Sequence, residues 1–208
     1  MNADDAVSHY TQLAAETRLQ RGADEPRWLE ERRASALASF TAGGFPTRKQ
    51  EGWRYTSLDK LLTQTFATPR EPAYRISQKS ISSLRTTDAE AVRLVFCDGH
   101  LVEPLSDINN LPDGIQISSL RDRLTSPSKQ VSEQLDRLFE NDYEGFDYIN
   151  TTLAIDGLWL EVEANVSLER PIEVIHTSQQ RDMGLLLVPR NLVILHPGAQ
   201  ATLIEHYS

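Results

Sequence analysis

The chain has 208 residues, 39% hydrophobic and 25% charged, with a formal net charge of −9 and a pI near 5.0. That is enough for one large soluble domain or two small ones. So acidic a chain argues against non-specific binding to nucleic acid or docking on anionic lipid, both of which need a basic surface. A single cysteine, Cys97, excludes an internal disulfide and points to a reducing compartment. The opening MNADDAVSHY carries acids and no apolar core, and no apolar run approaches the roughly 20 residues of a membrane span, so the expected location is cytoplasmic.

Asp4 or Asp5 can cap a first helix, with Val7, Tyr10, Leu13 and Ala14 at helical spacing and Gly22 at its end. Asp24 then caps a second, with Pro26 in its first turn and Trp28, Leu29, Arg32, Ala36, Leu37 and Phe40 following as a core stripe. Gly43-Gly44 stops that helix, because glycine takes left-handed backbone angles without steric cost, and Pro46 blocks its continuation. Thr47 and Gln50 fit a capping box, and another helix start falls at Thr56 or Ser57 with Asp59 close behind. Trp53 and Tyr55 are expected to wedge this helix–corner–helix against the rest of the fold.

The run Gly44-Phe45-Pro46-Thr47-Arg48-Lys49-Gln50-Glu51, then Trp53-Arg54-Tyr55-Thr56 and Leu58, resembles the N-terminal signature of the SufB/SufD family of iron–sulphur cluster assembly proteins. Within the family it resembles the SufD branch, whose usual form is TRKxExWKYT where this chain reads TRKQEGWRYT. The resemblance implies an α+β protein in which an N-terminal helical region precedes the first coils of a right-handed parallel β-helix. It implies a non-enzymatic scaffold subunit that pairs with a SufB-like paralogue and a SufC-like ATPase, the iron–sulphur cluster being handled by the full complex.

Beyond the corner, Phe66–Ala73 has two prolines and no periodicity and reads as a linker, and Ile76–Ala91 holds at most one short helix. Leu94-Val95-Phe96, Asp98-Gly99 and Leu101-Val102 spell a β-hairpin within 92–102, with Asp-Gly supplying the positive φ angles of a tight turn. Ile115–Ile117 is a short strand; Ser118–Leu124 and Ser128–Glu140 read as helices, the second with Val131, Leu135, Leu138 and Phe139 on one face. Asp142–Asn150 is an aromatic, acidic connector. From Thr151 the chain reads as β, with strands at Leu158–Val162, Ile172–His176, Leu185–Val188, Asn191–Leu195 and Ala201–Tyr207. On pattern alone this run suits a sandwich or a β-solenoid equally; the family resemblance selects the solenoid. The expected organisation is a helical region over 1–66, a mixed connecting region over 67–150 and the start of the β-helix core over 151–208. Since a family member continues through further coils to a C-terminal helical domain that grips SufC, the chain reads as a truncated piece, expected to self-associate through its open β edge.

No phosphate-cradling glycine motif, no C-x-x-C and no H-E-x-x-H occurs. Cys97, at the end of an apolar strand with only His100 nearby, reads as a small hydrophobe. His9 and His100 are isolated, whereas a solenoid could stack His176, His196 and His206 from adjacent coils into a metal site; coil-edge or solvent-facing positions are the simpler expectation. Glu161 and Glu163 share a strand face by the two-residue period, and with Asp156 they admit polysaccharide chemistry, although alternating acids ordinarily mark a wet face. No catalytic, cofactor-binding or metal residue transfers from the family. The alternative readings are a β-helix carbohydrate-active enzyme and an unrelated β-solenoid binding module.

Overall fold

The computed structural model describes residues 3–21, 25–69, 76–86, 90–126, 129–139, 144–179 and 184–208. The fold is mixed α+β and divides into two compact units: Met1–Thr68 with Leu124–Ala154 and Asp182–Val188, and Pro69–Arg123 with Ile155–Arg181 and Pro189–Ser208.

The first unit is helical. Helix α1 (Ala3–Arg21) buries Ala6, Tyr10, Leu13, Ala14 and Thr17 along one face, and α2 (Arg27–Gly43) buries Leu29, Arg33, Ala36 and Phe40. Pro26 is the N-cap of α2 rather than a residue of its first turn; the expected capping Asp24 and the stop Gly22 lie outside the described residues. Gly44 ends α2 as expected, with φ +66° and its N–H donating to the Phe40 carbonyl at 2.7 Å. The short helix α3 (Asp59–Leu62) follows, with Leu58, not Thr56 or Ser57, as its N-cap; α4 (Gln78–Ser82) belongs to the second unit, and the hydroxyl of its N-cap Ser77 accepts from the Ser80 N–H. Leu185 forms only a single parallel bridge, to Ala67, in place of the expected strand over 185–188.

The segment expected to be an acidic connector is instead helix α7 (Gly145–Leu153), so the β run does not begin at Thr151. A capping box makes it: the Glu144 carboxylate accepts from the Asp147 N–H while the Asp147 carboxylate accepts from the Glu144 N–H. The expected helix over 128–140 is shorter, α6 (Lys129–Gln134) and then a 3₁₀ turn (Arg137–Phe139); Asp136 between them has φ +68°, and the break leaves Leu138 96% exposed while Val131 and Leu135 stay buried.

The second unit carries the strands: β1 (Val92–Cys97), β2 (His100–Leu101), β3 (Ile115–Ser119), β4 (Leu158–Val162), β5 (Ile172–Thr177), β6 (Leu192–Leu195) and β7 (Leu203–Tyr207), with helix α5 (Leu120–Thr125) after β3. They form two sheets, ordered β2-β1-β5-β7 and β3-β4-β6. The hairpin is there: Phe96 pairs with Leu101 and Cys97 with His100 around Asp98 (φ 48°) and Gly99 (φ 81°). The other pairings are long-range. β1, β5 and β7 are parallel, placing Val92, Ile172 and Leu203 in one row; β4 and β6 are parallel, with Trp159 beside Leu192; β3 closes the second sheet antiparallel to β4.

Inward side chains of both sheets, among them Val92, Leu94, Phe96, Leu158, Leu160, Val162, Ile172 and Val174, make one core. A satellite cluster of Ile81, Val95, Cys97, Val102 and Ile175 lies on the other face of β1 and β5. Strands β4 and β5 are buried along their whole length, whereas β6 and β7 alternate between half-buried and exposed.

Candidate functional site

In the helical unit, the Gly44–Tyr55 corner is pinned from within. Phe45 packs edge-to-face on Tyr10, Phe40 and Phe146, with ring centroids 5.1, 5.1 and 5.4 Å apart. Gly145 admits the corner backbone, since a Cβ there would lie 2.4 Å from the Gly44 carbonyl oxygen. Trp53 is half-buried, stacks on Phe146 at 5.4 Å and donates its Nε1–H to the Glu144 carboxylate. The Gln50 side chain caps the Thr47 N–H at 2.6 Å, while the Thr47 hydroxyl reaches the Lys49 N–H instead of completing a reciprocal box. Tyr55 is 89% exposed, so Trp53 alone is the wedge.

A second polar cluster fastens α7. Arg33 donates to the Thr151 carbonyl at 2.8 Å, Arg21 donates to the Thr152 carbonyl at 2.5 Å, and Glu25 accepts from Arg33 at 2.9 Å and lies 3.9 Å from Arg21. Two guanidinium groups thus meet the negative end of the α7 dipole. Burial and the neighbouring Arg33 charge pull Arg21 down to about 9, against the opposing pull of Glu25.

In the strand unit the ionisable groups are distributed among separate partners. Asp156 is buried; one carboxylate oxygen accepts from the Ser119 hydroxyl at 2.7 Å and from the N–H groups of Gly157 and Arg121 at 2.7 and 3.1 Å, and the other from the Leu101 N–H at 3.4 Å. Burial raises its pKa against those four hydrogen bonds. It borders a cavity of about 350 Å³ that Ser119, His100 and Glu103 also line, but its oxygens point at backbone donors of three different elements, which is a structural knot. Glu161 is buried rather than on a wet face, with its carboxylate 2.9 Å from His196 Nε2; Glu163 is exposed. Of the three acids admitted for polysaccharide chemistry, Asp156 and Glu161 therefore have separate partners, and Glu163 faces solvent.

Nor do the strand histidines stack on one another. Register places His206 beside Ile175 and His176 beside Tyr207. The His176 ring lies between Phe96 at 5.2 Å and Tyr207 at 4.6 Å, both near-parallel, with its Nε2 3.8 Å from the Glu205 carboxylate. Burial lowers the His176 pKa against the pull of Glu205. Glu205 also accepts from the Asn191 amide and, at 3.3 Å, from the Tyr207 hydroxyl.

Cys97 is fully buried in an apolar cluster, and burial followed by the Asp98 charge pushes its thiol up to about 12, which withholds the thiolate a metal or an electrophile would need. His9 Nε2 accepts from the Phe66 N–H at 3.2 Å. Among the described residues no three His, Cys, Asp or Glu side chains group as a metal site, and no described helix is long and apolar enough to cross a membrane.

Sequence reasoning passed over the most deeply buried charge. Glu173 is fully buried; it accepts from Arg93 Nε at 2.6 Å, from the Thr86 N–H at 2.6 Å and from the Thr86 hydroxyl at 2.8 Å. Burial works to raise its pKa, but the hydrogen bonds from Thr86 and Arg93, with the Arg93 charge, outweigh burial and lower it. The signal legible in the sequence is an acid inside the apolar run Ile172-Glu173-Val174-Ile175; that Arg93 lies on the neighbouring strand is seen only in the structure.

Residues 4–174 match the family described as the SufBD protein N-terminal region. The chain is 30% identical over 173 residues to the iron–sulfur cluster assembly protein SufD of Escherichia coli, covering 82% of this chain and 37% of that protein. It is 25% identical over 162 residues to an iron–sulfur cluster assembly SufBD family protein of Synechocystis, covering 78% and 35%. The chain thus spans little more than a third of the length of these curated relatives.

Proposed function

The chain belongs to the SufB/SufD family of iron–sulphur cluster assembly proteins, among its SufD-like members, and from that premise we propose that it is the N-terminal part of a scaffold subunit, non-enzymatic by itself. In this reading β4 to β7 are the opening coils of a right-handed parallel β-helix. The observation that carries it is the pairing: successive strands alternate between two sheets, β4 with β6 and β5 with β7, each parallel, as coils stacked one on the next require. The close approach of Gly157 to the Arg190 carbonyl supports the same stacking at the coil corner.

The subunit pairs with a SufB-like paralogue, and the pair seats a SufC-like ATPase in the cytoplasm. The iron–sulphur cluster is the cargo of that complex, and no residue described above is assigned to it. By itself the 208-residue chain associates through the β6 and β7 edge, where Val193, Leu195, Leu203 and Tyr207 are exposed. Co-expression of the full-length gene product with SufB-like and SufC-like partners is expected to yield one complex on affinity purification. A full-length product that stays alone while its partners associate would overturn the assignment. Sedimentation of the 208-residue chain as a monodisperse monomer would remove the edge association.

A further inference from the structure

We infer that the outward side of the Gly44–Tyr55 corner is a docking surface for an acidic segment of a partner protein. The inference stands on the corner alone and is independent of the β-helix reading. In a chain of net charge −9, Arg48, Lys49 and Arg54 fall within seven residues that contain one acid, Glu51. All three are exposed, and none enters an ion pair with a described residue.

Tyr55 stands beside them, 89% exposed, with the Arg54 guanidinium 5.7 Å from its ring centroid. A tyrosine so exposed gives up the burial that ordinarily holds an aromatic in place, while Trp53, two residues away, is fixed by Phe146 and Glu144. Tyrosine and arginine on a backbone held rigid from behind are the residue types that dominate binding at protein interfaces, and the rigidity lowers the ordering cost of association. Exposed cations select carboxylates in the partner, and the Tyr55 ring selects an apolar side chain among them. Nucleic acid and an anionic membrane fit less well. Each presents charge over an extended surface, and this patch is three cations wide on an acidic protein.

The test is a titration of the isotopically labelled 208-residue chain, followed by NMR, with three probes: a short Asp/Glu-rich peptide carrying a central Leu-Phe pair, an oligodeoxythymidine, and phosphatidylserine vesicles. The expected result is peptide-induced shifts confined to residues 47–57 and abolished by high salt, with affinity falling about tenfold or more in both Arg54→Glu and Tyr55→Ala. Both side chains are exposed, and unchanged thermal unfolding of the variants confirms that the fold is intact. Absence of corner shifts, shifts that survive both substitutions, or an equal corner response to the oligonucleotide or the vesicles would each overturn the proposal.

Discussion

Replacing Gly157 by alanine tests the strand unit with a single methyl group. A Cβ at this position would sit 1.8 Å from the Arg190 carbonyl oxygen, 2.5 Å from its carbon and 2.9 Å from Asn191 Oδ1. Gly157 has an ordinary φ, so the substitution adds no backbone strain of its own and isolates the steric effect. The Arg190–Asn191 backbone must retreat by roughly 1.5 Å to restore normal contact. That movement disturbs the Arg190 N–H to Asp156 carbonyl bond (3.1 Å) and the Leu158 N–H to Asn191 Oδ1 bond (2.8 Å). Overpacking of this kind costs about 1–3 kcal/mol and each hydrogen bond about 1 kcal/mol, so the loss should be about 3–5 kcal/mol. For a chain of this size that is roughly 10 °C in Tm. Chemical denaturation followed by far-UV circular dichroism measures it directly. Gly43→Ala, at the end of α2 with nothing within 4 Å of its would-be Cβ, is the control and should be neutral or stabilising by up to about 1 kcal/mol. A Gly157→Ala protein within about 0.5 kcal/mol of the parent would refute the close approach and with it the coil stacking.

Glu173→Gln leaves Arg93 buried beside a neutral partner and should cost about 3 kcal/mol in the same denaturation assay. Because the folded carboxyl is held below its ordinary 4.5, its contribution is complete above that pH and disappears as pH falls through the lower folded value; the acid limb of the stability curve should flatten in the variant. His176 is linked to pH with the same sign: the unfolded chain takes a proton near 6.5 and the folded one only at lower pH, so stability declines as pH falls below about 6.5, and His176→Phe should remove that part of the decline while keeping the stack. Arg33→Leu removes the guanidinium from the Thr151 carbonyl and from Glu25, and should lower stability by about 2–4 kcal/mol, read as an earlier thermal transition.

The parts of this fold legible in the sequence are those fixed by near neighbours. The Asp98-Gly99 hairpin follows from backbone angles that few residues adopt, the end of α2 from Gly44, and the positions of β4, β5 and β6 from apolar runs between turn residues. Helix α7 was illegible because its start rests on a reciprocal bond between Glu144 and Asp147, two acids that read as solvent-facing, and its far end on Arg33 and Arg21, which are distant in the chain. Tyr55 and Trp53 have the same apolar claim to burial, and only the position of Phe146 and Glu144 separates them. The burial of Glu161 and the stack around His176 depend on which strands neighbour β4 and β5, information that alternation along one strand does not contain.

The buried charges share a property that bears on function. Asp156 is held by donors from β2, α5 and the turn into β4, and Glu173 joins β5 to Arg93 on β1 and to Thr86. In each case the side chain bridges elements far apart in sequence, and the penalty for desolvating it is offset only when those elements sit in one particular arrangement. Apolar strands alone would tolerate a slip of register, since Val, Ile and Leu fit one another in several alignments. A carboxylate with directional partners does not. The buried carboxylates Asp156 and Glu173 of the strand unit therefore act on alignment, unlike the exposed cations and aromatic ring of the corner proposed above for recognition, which Phe45 and Trp53 hold in place from behind.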